Sequence, residues 1–370
     1  MKRKILKNID WGIFICCIIL SIIGMIALFS ATYDSSDDSL QRQLIWFVIC
    51  IPIVFIIIFI DYESIAKISP ILYGIILVLL IGVLFTDPIN GASSWFNLGF
   101  FSIQPAEFAK IFVILFFATA LCKIQEKDKN NINKPTKLLI ALAIVAVPVL
   151  LIIKQPDYGT AMAFMVATVM ILFTAGINKK YIIGAIILVV IVVPVLYFFV
   201  LPDHAKERIN VFLNPESDPR GSGYNLTQSK LAIGAGKLTG MGLLKGNQTQ
   251  LGFLYPKTTD FIFSVIGEEM GFVVAGAVIV LYVILITKSV YVAKTAKDDL
   301  GAYIAIGIAG IFLFHMVENI GMTMGLLPIT GVPLPFVSYG GSSLLTNFIL
   351  VALLLNISGR RQKAIFIEQW

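Results

Sequence analysis

Residues 214–271 read NPESDPRGSGYNLTQSKLAIGAGKLTGMGLLKGNQTQLGFLYPKTTDFIFSVIGEEMG, and they are the exception in this chain. On either side the sequence is a succession of long apolar runs. This stretch is polar and rich in glycine as far as Asp260, where an apolar helical pattern resumes. A connection of this length is usually functional or disordered. Tyr224, Leu226, Leu231, Ile233, Leu238, Leu243, Leu244, Leu251, Phe253 and Leu254 supply apolar surface to pack, which argues for order. Gly234, Gly236, Gly240 and Gly242 lack the spacing of a nucleotide-binding loop, and no strand precedes them. Close packing or tight turns explain them better.

The background sets the class. Of the 370 residues 58% are hydrophobic and 14% charged, with a mean hydropathy of +0.90. That composition, laid out in long runs, describes an all-α polytopic membrane protein rather than soluble domains. About ten segments have spanning length: 11–31, 44–60, 70–85, 106–121, 138–153, 159–175, 181–201, 261–287, 302–327 and 338–357. We read one integral membrane domain over 1–370, with a large loop at about 202–260 between helices 7 and 8. The first apolar run exceeds a signal-peptide core and is read as a retained anchor. The net charge of +6 lies mainly in short loops, so it does not suggest nucleic acid. Cys16, Cys17, Cys50 and Cys122 all sit in apolar segments without metal-ligand spacing. The sequons at Asn225 and Asn247 are taken as chance matches.

Lysine and arginine orient the chain. Lys2, Arg3, Lys4 and Lys7 open it, and the same side receives Lys67, Lys123, Lys127, Lys129, Lys134, Lys137, Lys179, Lys180, Lys288, Lys294 and Lys297, then Arg360, Arg361 and Lys363. The alternate short loops carry only Arg42 and Lys154. Both termini are therefore expected in the cytoplasm and the 202–260 loop outside. An outward site has no ATP, so its chemistry must use a substrate already activated, or an ion gradient.

Ionisable residues inside apolar segments are costly and are functional candidates. Glu107 and Lys110, in 104–110 (QPAEFAK), are three apart and share a helix face, as a local ion pair or as a substrate contact. Asp157, in 155–161 (QPDYGTA), can cap a helix. His315 and Glu318 can satisfy each other, or form a proton relay. Residues 328–342 hold Pro328, Pro333 and Pro335 and then Gly340 and Gly341; such backbone cannot face lipid. Its Ser-Tyr-Gly-Gly-Ser ending offers donors for a phosphate or sugar. Thr259 and Asp260 read as a helix cap and a first-turn acid. Glu268 and Glu269, about two turns further on, need water, partners or protonation.

Taken together the segments 104–110, 155–161, 214–236, 259–271 (TDFIFSVIGEEMG) and 331–343 (GVPLPFVSYGGSS) resemble the SEDS family (shape, elongation, division and sporulation), over nearly the whole chain. Lys230 in QSKLAIGAG, the GNQTQLGFL run and the short tails resemble its RodA-like branch. The resemblance implies a glycosyltransferase that polymerises lipid II into glycan strands during elongation, beside a class B penicillin-binding protein and other membrane proteins of the elongation complex, in the bacterial cytoplasmic membrane. It makes Asp260 the catalytic residue. It implies substrate binding by Gln104, Glu107, Lys110, Asp157, Lys230, Ser338, Gly340, Gly341 and Ser342, and leaves room for a divalent cation, Mg or Mn. Two departures stand out. The family has Pro-Glu-x-His before Thr-Asp, where this chain has Tyr255-Pro256-Lys257-Thr258, and Ser94 stands where arginine is frequent.

Asp260 as a general base would take the proton of the attacking sugar 4-hydroxyl. One inverting displacement then joins the sugars. Lys110, Arg208, Arg220, Lys230 and Lys237 are the candidates for meeting the departing diphosphate. Two other readings fit the composition: a lipid II transporter, and a non-catalytic scaffold for the penicillin-binding protein.

Overall fold

The computed structural model describes residues 6–33, 37–87, 93–97, 99, 102–199 and 203–361. Each of the ten expected segments contains a helix, with 200 and 201 outside the described residues and 324–327 and 338–340 not helical: α1 (Trp11–Thr32), α2 (Ser39–Phe59), α4 (Ser69–Gly82, extended by a 3-10 turn Val83–Phe85), α5 (Pro105–Gln125), α6 (Pro135–Lys154), α7 (Tyr158–Thr174), α8 (Lys179–Phe199), α12 (Ile262–Lys294), α13 (Asp299–Thr323) and α14 (Gly341–Arg360). A short α3 (Tyr62–Lys67) lies between α2 and α4. A two-residue antiparallel ladder, β1 (Phe96–Asn97) with β2 (Ser102–Ile103), precedes α5.

Lipid is as apolar as leucine, so polar side chains are driven to the inside of the bundle. The spans sort accordingly. Among the described residues six helices are long and apolar enough to cross a membrane, and of these α14 has the lowest mean hydropathy, 1.7, and is the most buried, 78%. α2, at 2.5, is 22% buried. The inward face of α14 carries Ser342, Ser343, Thr346, Asn347, Asn356 and Ser358. α13 is the other interior helix, 67% buried. At Gly310 it comes so close to α7 that an added Cβ would lie 2.8 Å from Ala167 Cα. Such close backbone approach over small residues is typical of helix packing in membranes.

α12 corrects the sequence reading. The span expected at 261–287 is two helices, 262–270 and 272–294, meeting at Gly271 with φ 74° and ψ −176°. A break inside the bundle leaves backbone groups that must find partners. The glycine-rich segment supplies them. Met241 and Gly242 N–H donate to the Glu268 and Glu269 carbonyls (2.9 and 3.0 Å). Phe272 and Val273 N–H donate to the Lys237 and Leu238 carbonyls (2.9 and 3.1 Å). The chains touch so closely that an added Cβ on Gly236 would lie 1.8 Å from Gly267 O, and one on Gly240 2.1 Å from Glu269 O. Close packing is thus what these glycines serve.

From 203 to 260 the loop is ordered through α9 (Asp203–Leu213), α10 (Ser222–Ala235) and a single turn α11 (Asn247–Gln250), residue 202 lying outside the described residues. The Glu268 and Glu269 carboxylates secure that last turn. Glu268 accepts from Gln248 N (2.7 Å), Thr249 N (3.0 Å) and Thr249 Oγ1 (2.6 Å). Glu269 accepts from Gln250 Nε2 (2.8 Å). Partners, one of the three expected remedies, are what this pair has.

Candidate active site

The site is organised by the irregular segment between α13 and α14. Its polar groups hold the Thr259-Asp260 turn, Gln43, Arg208, His315, Glu318 and Asn319. Ser338 Oγ accepts from Leu334 N (2.9 Å) and donates to Thr259 O (2.7 Å), while Tyr339 N donates to Thr258 O (2.9 Å). These bonds pin the Thr259-Asp260 turn to the segment. Gly331 lies beside the aspartate, since its added Cβ would sit 3.4 Å from Asp260 Oδ2. Gly340 N donates to Gln43 Oε1 and Gln43 Nε2 to Ser338 O (3.2 Å each). Gly341 packs on the Trp46 indole.

The first two motifs join from the opposite side. Gln104 N donates to Ser342 Oγ (3.4 Å), which donates on to Ser102 O (3.2 Å). Asp157 caps α7, accepting from Thr160 N at 3.0 Å, so the capping role holds. Its second oxygen accepts from Gln104 Nε2 (3.1 Å). Gly159, next along, presses on Val332 and Thr330. Ser94, standing where the family has arginine, is buried and donates to Gln155 O (3.1 Å), tying its own loop to the Asp157 turn.

Glu107 and Lys110 form the ion pair that their spacing allows, 2.7 Å apart and both buried. Lys110 also meets His315 Nε2 (3.3 Å). The expected His315–Glu318 pair is overturned. His315 Nδ1 contacts Pro333 O (3.0 Å), and Glu318 accepts from Thr330 Oγ1 (2.7 Å). Three-residue spacing puts two side chains on one face, but stronger partners from α5 and the loop lie within reach.

Thr259 does not cap the helix, and Asp260 does not lie in its first turn. The helix after it begins at Ile262 with Phe261 in the cap position and no side-chain cap bond. The residue is half-buried, outside the spanning helices. Loss of water around its carboxyl raises its pKa above the usual carboxylate range, opposed by the Thr259 hydroxyl and by the charge of Arg208 on α9. Arg208 is anchored there by donating to Thr330 O (3.3 Å). Lys230 sits elsewhere: it is exposed on α10, against Gly325 at the far end of the segment.

Two residues of this network escaped the sequence reading. Gln43 fell just outside the expected second span, and its signal was an amide at the head of an apolar run. Asn319 follows Glu318 in an apolar run, and its Nδ2 donates to both Asp260 O (3.0 Å) and Val332 O (2.8 Å).

The carboxylates do not fit a protein-built metal centre. Among the described residues no three His, Cys, Asp or Glu side chains cluster as ligands, and both oxygens of Asp157 are already engaged.

Residues 10–363 match the family model of the FtsW, RodA and SpoVE cell cycle proteins. The chain belongs to this family. It is 38% identical to the peptidoglycan glycosyltransferase MrdB of Escherichia coli (strain K12) over 80% of this chain and 78% of that protein. It is 36% identical to stage V sporulation protein E of Bacillus subtilis (strain 168), over 94% and 96%. In fold it resembles a chain solved for the structural coordination of polymerization and crosslinking by a peptidoglycan synthase complex. That match has a TM-score of 0.81 at 28% identity and covers 95% of this chain and 97% of that one. The chain is a SEDS-family, multi-pass membrane protein, and among the described residues the ten apolar segments read from the sequence all contain helices.

Proposed function

We propose that Asp260 is the general base with which this peptidoglycan glycosyltransferase polymerises lipid II. The observation that carries the reading is the contrast among acids around the 328–340 segment. Asp157 is engaged through both oxygens, Glu107 is ion-paired and Glu318 is hydrogen-bonded. Asp260 stands outside the helices, freed from capping, with its carboxyl partly withdrawn from water. A base of raised pKa binds a proton more readily than an ordinary carboxylate, which suits it to accept one as a bond forms.

In the proposed step the 4-hydroxyl oxygen of one GlcNAc bonds to the anomeric carbon of another chain's MurNAc. The bond from that carbon to the diphosphate oxygen breaks, and the hydroxyl proton passes to Asp260. The α-linked donor gives a β-linked product, so a single inverting displacement suffices and no enzyme nucleophile is needed. Arg208 faces the aspartate and is the cation best placed to offset charge there. Lys110, fully buried with Glu107 and His315, supports the site from within. Gln104 and Asp157, half-buried at the rim, remain proposed substrate contacts, as do exposed Lys230 and the Ser338, Gly340, Gly341 and Ser342 motif. Any divalent cation would take most of its ligands from substrate and water.

The lysine and arginine distribution supports cytoplasmic termini and an outward-facing Asp260. The likeness to a synthase complex chain supports action beside a class B penicillin-binding protein. The sequence features of the RodA-like branch support a role in elongation. The test uses purified full-length protein and lipid II, with and without a penicillin-binding protein whose transpeptidase is blocked by a β-lactam. Wild type is expected to make glycan chains and Asp260→Asn none. Normal synthesis by a folded Asp260→Asn protein ends the proposal.

A further inference from the structure

Residues 328–334 have no regular secondary structure; Gly331 lies against Asp260, and Val332 and Leu334 are buried. Irregular backbone at such a place needs hydrogen-bond partners from side chains. One turn of α13 provides two of them, from His315 and Asn319, and adds Glu318 as partner to the Thr330 hydroxyl. His315, Glu318 and Asn319 are three and four residues apart and share a face. His315 and Asn319 are completely buried. The Asn319 amide gives one hydrogen to Asp260 O (3.0 Å) and the other to Val332 O (2.8 Å). The opposite amide orientation would set its oxygen against two carbonyl oxygens, so the assignment is unambiguous. His315 Nδ1 faces Pro333 O (3.0 Å), which can only accept, so Nδ1 carries the proton. Nε2 is then free to accept from the Lys110 ammonium at 3.3 Å. The ring is neutral, in the Nδ1–H tautomer. Glu318 holds Thr330, whose carbonyl accepts from Arg208.

We propose that this turn is the positioning element of the active site. Asn319 fixes Asp260 against the 330–335 segment, and His315 ties the same segment to Lys110. Base and buried cation therefore share one mechanical reference. The inference rests on Asp260 being the base. Neither Asn319 nor His315 is a catalytic residue: each acts through a neighbour.

The consequence is a loss in the chemical step without a loss of substrate binding. Asn319→Ala leaves two carbonyls that one water can bridge, so the fold is expected to survive. A displacement of about 1 Å costs about 10²-fold in rate, so kcat is expected to fall about 100-fold while KM for lipid II stays within about twofold. His315→Asn keeps a donor near Nδ1 for Pro333 O and removes the acceptor for Lys110. His315→Gln keeps an acceptor near Nε2 and removes the donor. Because the coupling needs both ends, each is expected to lower kcat about tenfold or more, the cost of a sub-ångström misplacement.

The experiment is steady-state polymerisation by full-length protein over a range of lipid II concentrations, with β-lactam-blocked penicillin-binding protein present. Folded protein is counted by size exclusion, and Asp260→Asn is run in parallel. Should Asn319→Ala fail to fold, the two His315 variants decide. Wild-type kcat in either His315 variant, or a raised KM at unchanged kcat in Asn319→Ala, overturns the positioning role. If those results come with an inactive Asp260→Asn, the base survives and only this inference falls. Activity in Asp260→Asn removes the base reading itself.

Discussion

Gly234→Ala and Gly236→Ala are the same chemical change two residues apart, and they are expected to have opposite effects. Gly234 lies within α10, and an added Cβ there meets nothing within 4 Å. Removing a helical glycine should stabilise by about 0.5–1 kcal/mol. Gly236 has an ordinary φ of −70°, so backbone strain plays no part. Its Cβ, however, would lie 1.8 Å from Gly267 O and 2.8 Å from Gly267 C. Carbon and carbonyl oxygen approach comfortably to about 3.3 Å, so the two backbones must separate by about 1.5 Å. Four hydrogen bonds cross this junction, from Met241, Gly242, Phe272 and Val273 N–H. At a net ~1 kcal/mol each, their loss amounts to about 4 kcal/mol. The short helix 262–270 is held by this junction, and Asp260 lies two residues before its start, so polymerisation should fall as well. The assay is amide hydrogen exchange at those four residues in detergent-solubilised protein, with thermal melting alongside. Equal protection in the two variants would refute the claim that the glycine segment fastens the broken helix.

Three further outcomes follow from the site. Asp260 works as a carboxylate, so rate should fall as pH drops through its raised pKa. Arg208→Gln removes the charge that opposes that rise and should move the acid limb to higher pH; a limb that stays or moves down in a pH–rate profile contradicts the assignment. Lys110→Met leaves the Glu107 charge buried and unpaired, at a cost of about 3–5 kcal/mol, whereas Glu107→Leu with Lys110→Met should recover most of the loss in melting measurements. Glu268→Gln replaces one of the two accepting oxygens by an amide donor, set against either Gln248 N–H or the Thr249 donors, and should cost about 1–3 kcal/mol, seen as faster exchange at Gln248 or Thr249.

The spans were legible because long apolar runs have one physical explanation. The break at Gly271 was not, because IGEEMGFVVAG reads as continuous helix and a lone glycine there is tolerable. What ends the helix is a segment some thirty residues earlier, which presents carbonyls and amides at that height. α10 was hidden for a related reason, since its sequence is as polar as a loop and its helicity comes from packing on α12. Thr259 and Asp260 carry a true cap signature, but Ser338 holds the Thr259 carbonyl and the helix starts two residues after Asp260. The chemical role of that aspartate came from resemblance, not from its spacing. His315 and Glu318 were mispaired because a one-dimensional reading cannot weigh Lys110, 205 residues away, against a neighbour three along.

The polar content of the inner helices and the placement of the base have a common origin. A substrate with a prenyl tail and a sugar head requires a reacting group at the edge of the apolar bundle. A helix alone offers no concave surface there. Irregular backbone such as 328–340 does, but within a membrane protein it is stable only where side chains replace the missing hydrogen bonds. Those side chains must come from the helices that enclose it: Gln43 from α2 and His315 and Asn319 from α13 meet its backbone, and Glu318 from α13 holds its Thr330 hydroxyl. Polar residues in α13 and α14 therefore force these helices inward, away from lipid, and their low hydropathy and high burial follow. The same hydrogen bonds engage nearly every acid and amide around the segment. What they leave at the rim is Asp260, fixed through its backbone and with its carboxyl turned to Thr259 and Arg208. Reactivity is thus concentrated on one group because the structural demand for hydrogen bonds has claimed the others.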